Sequence, residues 1–301
     1  MGSGKWSDND YYLKESARRV SGESAFKYTD NEMSRVSRDK WKVNQKMDPK
    51  GVTRESRDSA THPESLAIGV IFDHTGSMGE TPRVLQRALA RMMGTLLEKG
   101  KIANPQVLFG ANGDATTDQA PLQIGQFESD ITMEDDLGRL LLEGNGGHYG
   151  QESYELALYF MARHTSMDCL EKRKKKGYLF LIGDELPYNI KKSEVKSIIG
   201  DELPQNIPVE QIVAEAKEKY HIFFLIPTGA HGGRNPAVMQ RWVELLGQEF
   251  VVQLENPEEI AERISLIVKT NEEKLAPAKG KTKIPTTAPK EPARKKKPGR
   301  I

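Results

Sequence analysis

Between residues 65 and 274 short apolar runs alternate with segments of helical spacing. LAIGVIF (66–72), QVLFGANG (106–113), YLFLIG (178–183), HIFFLIPT (221–228) and EFVVQL (249–254) read as strands. The first, third and fourth are almost continuously apolar, as strands covered on both faces must be. The spacing predicts helices over 82–99, 133–142, 152–163, 208–220, 236–246 and 257–269. Four of these open on a proline (Pro82, Pro208, Pro236, Pro257), where the missing N–H costs nothing. PLQIGQF (121–127) follows its predecessor after a loop too short for a helical crossover, which predicts an antiparallel edge strand. The alternation as a whole predicts an α/β fold: a doubly wound, mainly parallel six-stranded sheet with helices on both faces.

Both ends of the chain break this pattern. Residues 1–64 are rich in Ser, Asp, Lys and Arg, with scattered aromatics (Trp6, Tyr11, Tyr12, Phe26, Tyr28, Trp41) and no sustained period. Such an extension is either partly disordered or an arm that lays its aromatics on the main domain. Residues 275–301 form a Lys/Pro-rich tail (APAKGKTKIPTTAPKEPARKKKPGR) that cannot build a core and reads as disordered. Hydrophobic residues make up only 37% of the 301, as expected when both ends contribute little burial. From residue 277 onward nine Lys or Arg stand against one acid, Glu291, a net of +8, which leaves −7 on the rest for the total of +1. The body is mildly acidic and the tail strongly basic. One cysteine, Cys169, excludes an internal disulfide, and no apolar stretch resembles a signal peptide or a membrane span. The expectation is a soluble, cytoplasmic protein, and nothing in the sequence requires more than a monomer.

The candidate chemistry sits at the first strand-to-helix junction. In FDHTGSMGE, Asp73, Thr75 and Ser77 are spaced by two, after an apolar strand and before a helix. A carboxylate and two hydroxyls form a compact set of hard oxygen donors, suited to magnesium at about 2.0–2.1 Å with several waters retained. YLFLIGDE places Asp184 at the carboxyl end of a later strand. Ligands of doubly wound sheets gather outside such ends, where the winding order reverses. Two buried carboxylates brought together there repel one another unless a cation lies between them.

These residues resemble the von Willebrand factor A family, whose metal-ion-dependent adhesion site carries Asp-x-Ser-x-Ser after the first strand, then a Thr, then an Asp. Asp73, Thr75 and Ser77 match the first motif with Thr for the first Ser, and Asp184 matches the late Asp. The family's middle Thr has no Thr counterpart in EGNGGHYGQESYELAL. Counting back from Ala157 and Leu158 puts its place on Glu152, with Ser153 as the alternative. The resemblance extends over residues 66–269 and includes the order of strands and helices of a Rossmann-like A domain. GDATTD and GQFESD are similar to segments of A domains in bacterial and phage proteins and beside atypical kinases, although nothing here indicates a kinase domain. The resemblance implies a magnesium ion, or manganese or calcium in its place, whose open coordination position takes an Asp or Glu of a partner protein, with a possible shift of the last helix. It implies binding rather than catalysis.

Other residues near the motif have blander readings. Asp114 either starts a turn or reaches the metal through water. His74 and His148 read as solvated loop histidines, and Glu185 and Glu80 as outer or surface groups. GSGKWS has no preceding strand and Trp6 at its sixth position, so it is neither a phosphate loop nor a myristoylation signal. ARKKKPGR can contact nucleic acid or an acidic surface. The competing functions are therefore a magnesium-dependent hydrolase and a nucleic-acid-associated protein working through its tail.

Overall fold

The apolar runs become strands of one sheet in the computed structural model, which describes residues 4–144 and 150–275. The tail beyond Leu275 lies outside the described residues. The strands, in chain order, are β1 (Arg54–Ser56), β2 (Leu66–Asp73), β3 (Pro105–Asn112), β4 (Leu122–Ile124), β5 (Gln151–Glu152), β6 (Thr165–Met167), β7 (Gly177–Ile182), β8 (Leu186–Pro187), β9 (Tyr220–Pro227) and β10 (Val251–Leu254). Six of them form the central sheet in the order β10-β9-β7-β2-β3-β4. All its pairings are parallel except β3 with β4 at the edge. The short connection from β3 to β4 leaves no room for a crossover, which is why that strand turns back. β1 pairs with β6 and β5 with β8 in two small parallel ladders.

The helices are α1 (Asp8–Ser21), α2 (Lys27–Arg35), α3 (Thr81–Leu89), α4 (Met92–Glu98), α5 (Thr132–Gly138), α6 (Tyr154–Arg163), α7 (Asp168–Arg173), α8 (Lys192–Glu194), α9 (Val209–Lys219), α10 (Pro236–Leu246) and α11 (Ile260–Leu275). One face of the sheet, through Ala67, Ile71, Leu108, Leu179 and Leu181, buries α6, α9 and α10. The opposite face, through Ile68, Val70, Phe72, Phe109 and Phe180, buries α3, α4, α5 and α11. All eight residues of β2 are buried, which accounts for its unbroken apolar run.

Some boundaries differ from the periodicity. The segment 82–99 is two helices, not one, α3 and α4 breaking at Ala90–Arg91; α3 packs on the Pro257–Glu259 turn and on α11, and α4 on α11. The segment 133–142 stops at Gly138, and the last helix runs on to Leu275.

Residues 4–64 hold two helices where no period was evident. The α1 helix carries local signals: Ser7 caps the Asp10 N–H, Asp8 and Asp10 lie in the first turn, Arg18 and Arg19 in the last, and Gly22 closes it in the left-handed region at φ 67°. Its apolar stripe is too thin to register, since only Tyr11 is buried. Ion pairs from Lys14 to Asp135 and from Arg18 to Glu134 tie it to α5. Farther along, Met47 is fully buried and its carbonyl accepts from the Ile124 N–H at 2.8 Å. Thr29, also fully buried, donates to the Leu140 carbonyl at 2.9 Å and accepts from the Leu142 N–H at 3.0 Å. Thr29→Val keeps the shape and leaves both backbone groups without that partner. Urea unfolding is expected to report a loss of about 1–3 kcal/mol.

Candidate metal centre

The chain order β2, β3, then β7 on the far side of β2 puts the reversal of winding between β2 and β7. Asp73 is the last residue of β2, and Asp184 follows β7 by two. The loop between β2 and α3 folds over this point because the Asp73 carboxylate organises it: Oδ1 accepts from the Thr75 N–H at 2.7 Å and from the Thr75 hydroxyl at 2.6 Å. The Thr75 and Ser77 hydroxyls lie 3.2 Å apart, and Ser77 donates to Asp184 Oδ1 at 2.8 Å. The four expected donors thus form one continuous chain from carboxylate to carboxylate. Asp73, Thr75 and Asp184 are fully buried, and Ser77 is half-buried, so the chain opens toward solvent on the Ser77 side.

Two further contacts brace it. The Gly232 N–H donates to Asp184 Oδ2 at 2.7 Å and the His231 N–H to the Ser77 carbonyl at 2.9 Å. A Cβ at Gly232 would stand 2.1 Å from the Asp184 carbonyl oxygen, so this close approach requires glycine. On the other side Tyr154, the first residue of α6, donates its hydroxyl to Asp73 Oδ2 at 2.6 Å. Its ring is held edge-on by Phe224 and Trp242, and the Trp242 Nε1–H donates to the Glu185 carbonyl at 3.0 Å. Sequence reasoning missed Tyr154, Gly232 and His231. A tyrosine at helical spacing reads as core, and no local pattern shows that a loop after a distant strand closes over Ser77.

The remaining expected residues separate. Glu152 is fully buried at the end of β5, and its carboxyl faces Asp73, Glu185 and Asp114 with no hydrogen-bond partner at either oxygen. Ser153, the alternative for that place, accepts from the Ala115 N–H at 2.9 Å and so serves the neighbouring loop. Asp114 starts a turn, accepting from the Thr116 N–H and hydroxyl at 2.9 and 2.7 Å. His74 is not solvated: it is fully buried with Nε2 3.2 Å from the Ala120 carbonyl, because the chain folds β4 over it. Glu185 is buried and Glu80 exposed. His148 lies outside the described residues.

Electrostatics favours a cation here. Burial first, then the neighbouring Asp184, raises the Asp73 carboxyl to about 7. Burial raises Asp184 as well. Burial, then Asp73 and Glu185, drives Glu152 further up, and burial followed by Asp184 takes Glu185 to about 7. Among the described residues no Lys or Arg is fully buried. Hydroxyls and carboxylates with orphaned oxygens match a hard divalent ion. Among the described residues no three His, Cys, Asp or Glu side chains are placed to hold an ion by themselves. Carboxyls with raised folded values keep protons that the unfolded chain has released. Without metal, stability therefore falls as pH rises from about 4, the ordinary carboxylate value, toward 7. The melting temperature in EDTA is expected to be lower at pH 7.5 than at pH 5.5, and magnesium affinity to climb over the same interval as protons cease to compete.

The strand order, the reversal between β2 and β7 and the Asp-x-Thr-x-Ser loop with Asp184 define a von Willebrand factor A-like domain with a site like the family's metal-ion-dependent adhesion site. No family model matches the chain, and no curated protein matches it. Among solved structures it is similar to the pilus adhesin SpaC from Lactobacillus rhamnosus GG in an open conformation, with TM-score 0.49 and 10% identity over 74% of this chain and 31% of that one. It is also similar to proximal thread matrix protein 1 from the mussel byssus with a zinc-occupied MIDAS motif, with TM-score 0.45 and 11% identity over 71% of this chain and 48% of that one. The chain spans about a third to a half of the length of those proteins. Among the described residues no helix is long and apolar enough to cross a membrane.

Proposed function

We propose that the domain is a metal-dependent protein-interaction module. Asp73, Thr75, Ser77 and Asp184 hold a magnesium ion, Glu152 stands as a neighbouring carboxylate that tunes it, and a carboxylate of a partner protein docks on the Ser77 side. The observation that carries this reading is the unbroken Asp73–Thr75–Ser77–Asp184 chain at the switch point, open only at Ser77. When bound, magnesium supplies an open coordination position and positive charge. The protein's own residues do the rest: Thr75 and Tyr154 orient Asp73, Gly232 orients Asp184, and the buried walls exclude water that would weaken the contact. The role is binding, not catalysis. Both hydroxyls of the loop already engage carboxylates, and His74 is turned toward a backbone carbonyl.

The test presents immobilised protein with peptides bearing an exposed Glu or its Gln isostere, in magnesium and in EDTA. Capture of the Glu peptide only, in magnesium only, and lost in Asp184→Ala, is the expected result. Equal capture of the Gln peptide or indifference to EDTA overturns the reading. Magnesium-dependent turnover of phosphoester substrates that disappears in Asp184→Ala would favour a hydrolase in its place.

A further inference from the structure

Away from the metal centre, the N-terminal arm and the body enclose a groove of about 650 Å³ between α1, the turn into α2, α3 and α5. Small-molecule sites commonly measure about 300–1,000 Å³. Six Lys or Arg line the groove against four Asp or Glu, a net of +2 where the chain outside its tail is acidic. Four of the six cations are answered: Lys14 by Asp135, Arg18 by Glu134, Lys27 by Glu23 and Arg139 by Asp136. The other two, Arg19 on α1 and Arg87 on α3, have no ion-pair partner among the described residues. Both are exposed and therefore open to a ligand.

A single unpaired surface arginine is ordinary, but the surroundings of Arg87 are not. Arg83 and Arg87, one turn apart on α3, both lie against the ring of Phe26, their guanidinium carbons 4.5 and 5.7 Å from its centroid. Like charges at that spacing repel, and neither has an acidic partner among the described residues. Stacking on the ring fixes both guanidinium planes, so an anion taken there costs less side-chain ordering. Buried Gln86 also lines the groove: its Nε2 donates to the Ala25 carbonyl at 3.3 Å, and its Oε1 has no partner.

We propose that this groove binds a dianionic phosphate group between Arg19 and Arg87, linking the arm to the body. A carboxylate would answer only one of the two free charges. A phosphate monoester carries about −1.5 to −2 at pH 7 and answers both, and each guanidinium fork can engage two of its oxygens. The bound group adds a charged link from α1 to α3, where the ion pairs of α1 run to α5. Its source is either free phosphate or a small phosphomonoester. The apolar lining of Tyr11, Ala90 and Leu137 and the unanswered Gln86 Oε1 suit an ester whose body is a flat ring bearing an N–H donor.

The test titrates the full chain by calorimetry at pH 7.5 with AMP, adenosine and inorganic phosphate. EDTA is present throughout, so no metal at Asp73 and Asp184 can hold the phosphate, and failure here leaves the metal reading untouched. AMP is expected to bind, and adenosine at least about 10-fold more weakly. Arg19→Gln and Arg87→Gln, changes at exposed positions that are expected to keep the fold by circular dichroism, should each weaken AMP by about 10-fold or more. AMP tighter than inorganic phosphate supports the ester as the ligand; equal affinity supports the free anion at the same site. Binding of neither overturns the proposal, as does adenosine binding as tightly as AMP. AMP affinity unchanged in the double variant also overturns it and places the phosphate on the basic tail.

Discussion

Asp73→Asn is expected to weaken magnesium binding at least about 100-fold, close to 3 kcal/mol, because even groups behind a metal's direct ligands commonly contribute 10–100-fold. The substitution preserves the local geometry. The amide oxygen still accepts from the Thr75 N–H and hydroxyl, and the amide nitrogen faces the Tyr154 hydroxyl, which turns from donor to acceptor. Loss of affinity can then be read as loss of charge and not of fold. In EDTA the same variant is expected to melt above wild type, since it removes a buried carboxylate that Asp184 opposes. Calorimetry and thermal melts in EDTA check the two halves. Unchanged affinity would remove Asp73 from the ligand set.

The second large effect comes from a residue that touches no metal. A Cβ at Gly183 would stand 2.0 Å from the Tyr154 hydroxyl oxygen and 2.6 Å from its ring carbon. The ring has nowhere to go, with Phe224 5.4 Å and Trp242 5.5 Å away between centroids and the hydroxyl bound to Asp73. Gly183→Ala is expected to lower stability by ~1–3 kcal/mol, the usual cost of overpacking, and to weaken magnesium by pulling Tyr154 off Asp73. Urea unfolding and calorimetry measure both. In a Tyr154→Ala background the additional cost of Gly183→Ala should disappear, because all three nearest atoms to the new Cβ belong to Tyr154.

Much of the scaffold was legible because it depends on local periodicity. The five apolar runs and the short edge strand emerged as β2, β3, β4, β7, β9 and β10 within a few residues, since strands buried on both faces announce themselves by composition. The helix over 82–99 divided at Ala90–Arg91, although both halves pack on α11, and spacing along the chain does not record the break. The arm's helices went unread for the opposite reason. Its caps are present at Ser7 and Gly22, but its buried contacts fall on isolated residues, Tyr11, Thr29 and Met47, scattered over a polar segment and joined by ion pairs such as Lys14 with Asp135, which leave no apolar period to read.

The same division holds at the site. From the chain alone came the oxygen-donor loop of Asp73, Thr75 and Ser77 and its pairing with Asp184, because hydroxyls and carboxylates at the ends of apolar strands of a doubly wound sheet converge by topology. Burial was decided only in three dimensions. It made His74 a core residue, directed Ser153 to Ala115, seated Tyr154 on Asp73 and left Glu152, Asp114, Glu185 and Asn112 with unanswered polar atoms. Those outcomes depend on which loops from distant parts of the chain meet over the sheet, and desolvation, which sets the charge a site must neutralise, exists only once they have met.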